Sequence, residues 1–199
     1  MKILLISDQP DAGLWDYYSP EKLRDIDLIF SCGDLPRAYL EFLVTMGRAP
    51  VLYVHGNHDD GYSLQPPEGC DCIDGKLVCV NGLRILGLGG CMRYRDGIHQ
   101  YTELQMCLRI AKLCWQIWRR GGVDVVVTHA PIQGIGDGED RAHLGFACFR
   151  RLLECLGPMY WIHGHQHLNY GRNPRIRTCG DTTIINAYGK YILEIETPL

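Results

Sequence analysis

An α/β fold, in the form of a four-layer α/β/β/α sandwich of two mixed sheets flanked by helices, is the architecture this sequence predicts. Three observations carry that expectation. Apolar runs of strand length alternate with helical segments in the first part of the chain, a βαβαβ order that implies parallel strands. Those runs are apolar throughout rather than alternating, as expected of strands covered on both faces. Asn81-Gly82 joins two further apolar runs, a strong hairpin signal that makes the second half antiparallel or mixed.

A strand over 2–7 opens the chain, followed by a short helix near 20–25 and a strand over 28–32. A helix over about 36–47 comes next, with Pro36 in the first turn, where a missing N–H is tolerated, and Gly47 at its end. A strand over 50–55 completes this unit, and the Pro, Gly and Cys-rich stretch 60–75 reads as loop. Strands over 76–80 and 83–88 flank the Asn-Gly turn. A long helix over 102–120 carries Leu104, Cys107, Leu108, Ala111, Leu113, Trp115 and Trp118, and the spacing of its aromatic residues predicts a packed face rather than a cofactor box. Gly121-Gly122 ends it. The remaining elements are a strand over 123–128, a loop over 131–143, a helix near 145–156, and strands over 159–163, 182–186 and 191–196.

The chain has 199 residues, of which 46% are hydrophobic, and this suits one domain with a sizeable core. No linker-like stretch or internal repeat divides it. No apolar run approaches the roughly 18 residues that a membrane helix needs, and no signal peptide is visible, so a cytoplasmic location without membrane contact is expected. The ten cysteines are scattered, several inside apolar segments, and read as reduced thiols rather than a disulfide framework. Cys70-Asp71-Cys72 has the look of half a zinc site, but no second Cys or His pair follows at the usual spacing. With a formal net charge of −3 and no basic run, long nucleic acids are disfavoured as partners. Arg172, Arg175 and Arg177 form a local basic cluster, read as a solvated loop or as a phosphate contact. Oligomeric state is not legible.

The ends of the strands concentrate chemistry. The first runs into Ser7-Asp8, the second into Gly33-Asp34, the third into Gly56-Asn57-His58-Asp59, the strand near 123–127 into Thr128-His129, and that near 159–162 into His163-Gly164-His165-Gln166-His167. Gly-Asn and His-Asp pairs alone are ordinary turn material. Repeated at successive strand ends, which converge on one edge of such sheets, they form a constellation of metal-ligand types. Oxygen and nitrogen donors without thiolate suit a harder divalent ion.

In this order and over residues 8–167, the motifs resemble those of the calcineurin-like metallophosphoesterases. The resemblance implies hydrolysis of a phosphomonoester or phosphodiester by hydroxide generated at a dinuclear centre. It implies Asp34 as the bridging carboxylate, Asp8 and His167 on one ion, and Asn57, His129 and His165 on the other. His58 is implied at the scissile phosphate, where it protonates the leaving oxygen, with Asp59 orienting it. The cofactors implied are two divalent ions, Mn²⁺ first, with Fe²⁺, Zn²⁺ or Ni²⁺ as alternatives. The partner implied is a small phosphoester, a nucleotide among the candidates, and His143 and Arg172 are candidates for binding it.

One position departs from the family pattern. Where Asp-x-His is usual, the sequence reads Asp8-Gln9-Pro10. Positions i and i+2 of a strand share a side, so Pro10, with no donor atom, stands where a first-ion ligand is expected. Water, or a substitute such as His143 or His99, would complete that site; otherwise the ion is lost. The alternative function is a weakly active or non-catalytic scaffold of the same fold that binds other proteins.

Overall fold

The structure, a computed structural model, describes residues 1–168 and 174–195. Its first sheet has five strands in the order β13-β1-β2-β3-β4, where β1 is Lys2–Ser7, β2 Leu28–Ser31, β3 Val51–Tyr53, β4 Cys70–Cys72 and β13 Gly189–Glu194. All neighbours are parallel except β13, which returns antiparallel to β1. The second sheet has six strands in the order β11-β12-β10-β9-β6-β5. Here β5 (Lys76–Val80) and β6 (Leu83–Leu88) form the expected hairpin, and β9 (Val125–Thr128), β10 (Tyr160–His163) and β12 (Thr182–Asn186) run parallel to β6. Strand β11 (Ile176–Cys179) closes the edge antiparallel to β12. Two-residue strands β7 (Cys91–Met92) and β8 (Gln100–Tyr101) pair separately.

Side-chain alternation along the strands builds the layers. Ile3, Leu5, Leu28 and Phe30 of the first sheet meet Ile85, Val125, Val127 and Ile162 of the second in one buried cluster between the sheets. The intervening residues turn outward: Leu4, Ile6 and Ile29 pack beneath α1 (Glu21–Arg24) and α2 (Arg37–Met46). Leu86, Val126 and Trp161 pack beneath α3 (Glu103–Arg119) and α4 (Ala147–Leu156). Strands buried on both faces explain why their sequence is continuously apolar. The fold is thus the predicted α/β/β/α sandwich.

Local differences have local causes. Strand β4 lies inside the stretch expected to be loop; it is three residues long with an exposed Asp71 at its centre, and so short an edge strand leaves no hydrophobic period to read. The third strand is shorter than 50–55, stopping at Tyr53, and the last one starts earlier, at Gly189. Helix α3 begins at a full capping box in which Thr102 and Gln105 satisfy each other's amides. Its aromatic residues do not pack as expected. Met106, Leu113 and Ile117 supply the buried face, whereas Trp115 and Trp118 are 64% and 72% exposed and stack on each other with ring centroids 5.0 Å apart. A helix lying on a sheet buries one stripe, and these two indoles lie outside it. All ten thiols are free, and no helix among the described residues is long and apolar enough to cross a membrane.

An ion pair at one edge offers a test of the packing. Arg84 at the start of β6 donates through Nη2 and Nε to Asp124 at 2.5 and 2.9 Å, and its own amide donates to the same carboxylate at 2.8 Å. Those hydrogen bonds hold the Asp124 carboxyl below its ordinary range. A carboxylate with a depressed folded pKa stabilises above its unfolded value and loses that contribution as the pH falls through the folded one. Asp124→Asn is therefore expected to lower the melting temperature by about 3 °C at neutral pH, with the gap closing below about pH 4. A gap of constant size from pH 7 to pH 3 in thermal melts would refute this.

Candidate metal centre

The strand ends of both sheets meet at one edge of the sandwich. Asp8 follows β1, Asp34 follows β2, Asn57 and His58 follow β3, His129 follows β9, and His165 and His167 follow β10. Donor atoms of Asp8, Asp34, His129 and His165 all lie within 4.8 Å of one another. A cleft of about 420 Å³ opens over them, lined also by Asn57, His58, Tyr94, Ala142, His143 and His167.

The backbone is strained where it delivers these side chains. Asp8, Asp34 and His165 hold φ angles of 64°, 58° and 65°, a left-handed conformation uncommon outside glycine. Such strain at converging side chains is characteristic of functional sites. The glycines beside them permit close approach: a Cβ on Gly56 would collide with the Asp34 carboxylate, and one on Gly164 with Ser7 and Asp8. Across the two sheets, the His165 amide donates to Asp8 Oδ2 at 2.9 Å.

Hydrogen bonds orient each donor inward. His129 is fully buried; its Nδ1 lies 2.7 Å from the Cys32 carbonyl, which leaves Nε2 facing Asn57 Oδ1 at 2.9 Å and Asp34 Oδ2 at 3.4 Å. The Asn57 amide nitrogen donates to the Tyr94 hydroxyl at 3.2 Å, so its oxygen points at the cluster. His165 Nε2 donates to the Ala142 carbonyl at 2.6 Å, which leaves Nδ1 as a bare lone pair. Outer partners of this kind are what fix ligand tautomers in metal sites. His167 is half-exposed, 4.0 Å from Asp8 through Nε2, and packs on the Tyr188 ring.

The electrostatics favour a cation. Burial pushes the Asp8 carboxyl up, with His129 acting in the opposite direction. Burial would raise Asp34 too, but His129 and the His58 amide outweigh it and bring the group to about 2. Burial disfavours charge on His129, yet Asp34 and Asp8 raise it to about 9. His165 is lowered to about 3 by burial and by the neighbouring His129. Among the described residues no lysine or arginine lines the cleft, so the paired carboxylates draw positive charge onto an imidazole. A cation arriving there displaces the His129 proton, and carboxylates with imidazoles are the donor set of a hard-to-borderline divalent ion.

The expected pairing of Asp59 with His58 is not found. Asp59 is buried, and its Oδ2 accepts the amides of Gly56 at 2.7 Å and Asp34 at 2.9 Å, bracing the two turns against each other. Burial raises its carboxyl to about 6. The contact recorded for the exposed His58 ring is instead Arg95, whose Nη2 lies 3.2 Å from His58 Nδ1. Tyr94, one of several tyrosines whose type suits a pocket or an interface, lines the cleft, and Arg95 stands beside it through His58; for Arg95 the sequence carries no signal beyond a polar stretch between short elements. His143 lines the cleft 5.2 Å from the His165 ring, held by Asp140 at 2.8 Å, and, like Asn57 and His167, lies outside the cluster of four. His99 is elsewhere, stacked on His55. Gln9 turns to the Tyr188 hydroxyl at 2.7 Å. Arg172 falls outside the described residues, and Arg175 donates to the carbonyls of Asn186 and Tyr188, both at 2.9 Å, so it secures backbone rather than facing the cleft.

Comparison with known proteins agrees with this geometry. The family model described as Calcineurin-like phosphoesterase matches residues 1–169. A lariat debranching enzyme of Entamoeba histolytica is 24% identical over 157 residues, covering 60% of this chain and 43% of that protein. The chain thus spans under half the length of that relative. The UPF0046 protein K07C11.7 of Caenorhabditis elegans is 24% identical over 220 aligned positions, covering 94% of this chain and 69% of that one. Among solved structures, TT1561 of Thermus thermophilus superposes with a TM-score of 0.62 at 15% identity, over 94% of this chain and 89% of that one; that likeness concerns the fold.

Proposed function

The chain belongs to the calcineurin-like phosphoesterase family, and from that premise we propose that it hydrolyses a small phosphomonoester or phosphodiester at a two-ion centre. The observation that carries this reading is the convergence of Asp8, Asp34, His129 and His165 within 4.8 Å under a cleft that also holds Asn57 and His58. In the proposed arrangement Asp8 and His167 would hold the first ion, Asn57, His129 and His165 the second, and Asp34 would serve both. Two divalent ions held there, Mn²⁺ foremost, would supply Lewis acidity to the phosphoryl oxygens and hydroxide near neutral pH.

The chain's own groups do the rest. His129 presents Nε2 because the Cys32 carbonyl holds its other nitrogen. His58 Nδ1 accepts from Arg95, so the ring proton sits on Nε2, free to be given to a leaving oxygen. Arg95 adds a guanidinium at the rim, suited to a phosphate oxygen. A cleft of about 420 Å³ lies at the small end of ligand pockets and favours a compact substrate such as a mononucleotide over a long nucleic acid.

The scaffold reading draws on one observation, the absence of a donor atom at Pro10. Purified protein assayed with Mn²⁺ on aryl phosphomonoesters and diesters separates the two. Turnover well above that of an Asp34→Ala, His58→Ala double variant is expected; equal rates for the two proteins would leave the scaffold.

A further inference from the structure

A second group of metal-ligating side chains lies on the other side of the third strand's end. His55, Asp74 and His99 bring donor atoms within 4.8 Å of one another, and the Cys72 thiol lies 4.0 Å from His55 Nδ1. Cys72 belongs to the Cys-Asp-Cys stretch that looked like half a zinc site with no partner nearby in sequence. The fold supplies the partners from a distance: His55 follows β3, Cys72 ends β4 beside it, and His99 precedes β8.

We propose that Cys72, His55, Asp74 and His99 form a separate binding site for a divalent cation of the Zn²⁺ class. The decisive observation is His99. It is only 6% exposed, and neither ring nitrogen has a hydrogen-bond partner. Leaving a buried polar group unsatisfied costs about 1–3 kcal/mol, and buried histidines without partners are rare enough to require a reason. A coordinated cation provides one.

The surroundings fit a ligand set. Asp74 Oδ1 is held by the Arg109 guanidinium and by the Gly89 amide, which donates at 2.7 Å. Its other oxygen, Oδ2, accepts from His55 Nδ1 at 3.0 Å and becomes available to an ion, together with Nδ1, when that proton leaves to solvent and the ring keeps its proton on Nε2, while Arg109 and Gly89 fix the carboxylate from behind. The His55 and His99 rings lie parallel, 7° apart with centroids separated by 4.2 Å. In-plane lone pairs of parallel rings do not meet at one ion, so one ring must turn. His99 breaks no hydrogen bond in turning, because it makes none. Charge also requires the thiol. Arg109 offsets Asp74, so a divalent ion is held against its full charge unless Cys72 binds as thiolate, which releases its proton to solvent and brings the site to +1. A Cys, Asp and two His donors make a four-coordinate N/O/S set that suits zinc, in contrast to the thiol-free main centre.

Cobalt(II) tests this directly, because a thiolate ligand gives a sulfur-to-cobalt charge-transfer band that oxygen and nitrogen ligands cannot. Protein titrated with Co²⁺ is expected to show the band, to keep it when Asp34→Asn cripples the main centre, and to lose it in Cys72→Ser. His99→Phe preserves the stacked, buried ring and removes the orphaned nitrogens, so it folds at least as well as the parent. It is expected to weaken Co²⁺ binding at the band by at least tenfold. No band in the unmodified protein, a band that persists in Cys72→Ser, or unchanged affinity in His99→Phe would each overturn the site. None of these readouts depends on phosphoesterase turnover, so failure here and failure of the proposed function are separable.

Discussion

Asp34→Asn is expected to lower Mn²⁺-dependent turnover about 10³-fold, equivalent to ~4 kcal/mol of lost transition-state stabilisation, while leaving the fold standing. The carboxylate is the most connected group of the centre. It lies 3.4 Å from His129 Nε2 and accepts the His58 amide at 2.7 Å through Oδ1. Asparagine keeps the shape and one carbonyl oxygen, so the His58 amide retains an acceptor and the turn survives. What disappears is the negative charge that, with Asp8, raises His129 to about 9. Without it, the position proposed to serve both ions would carry a neutral amide, which attracts cations far more weakly. Metal content by elemental analysis should fall together with turnover, and the far-ultraviolet circular dichroism should not change. A variant that keeps more than about a tenth of the parent rate would remove Asp34 from the bridging role.

The fold and most of this centre could be read from the chain because the relevant signals are local. Ile3 to Ile6 and Val125 to Val127 are apolar at every position, and only a strand between two packed layers buries both faces. The candidate ligands follow those runs directly, so a correct reading of the strands brings them together without knowledge of any contact. Contacts made by loops left no such trace. Arg95 meets His58 across 37 positions of sequence, from a stretch with no periodicity. Adjacency in sequence pairs Asp59 with His58, whereas the turn geometry aims its carboxylate at the Asp34 and Gly56 amides. The same reason hides the cluster around His99: its members come from the end of β4 and from separate loops, and spacing along the chain is a poor guide to parallel edge strands. Trp115 and Trp118 failed differently. Their hydrophobicity suggested burial, but position on the helix, not residue type, decides which side meets the sheet.

His58→Ala is expected to slow hydrolysis in proportion to how poor the leaving group is. If His58 donates a proton to the departing oxygen, an alkyl phosphoester should lose about 10³-fold, within the range of general acid catalysis. A nitrophenyl ester, whose leaving oxygen needs no proton, should lose about tenfold or less, the residue of lost positioning. The structure supports this division. His58 is exposed to the cleft, and its Nδ1 takes a hydrogen bond from Arg95, which leaves the transferable proton on Nε2. Its backbone, by contrast, is bound to the Asp34 carboxylate, so truncating the ring leaves the ligand turn intact. Arg95→Ala should then show a weaker version of the same pattern, because the ring keeps its proton but loses the group that fixes its tautomer. Rates measured across a series of esters graded by leaving-group basicity decide the matter. An equal loss for alkyl and nitrophenyl esters would mean that His58 binds the phosphate without giving the leaving oxygen a proton, and the acid would have to be sought in solvent or in His143, which also lines the cleft.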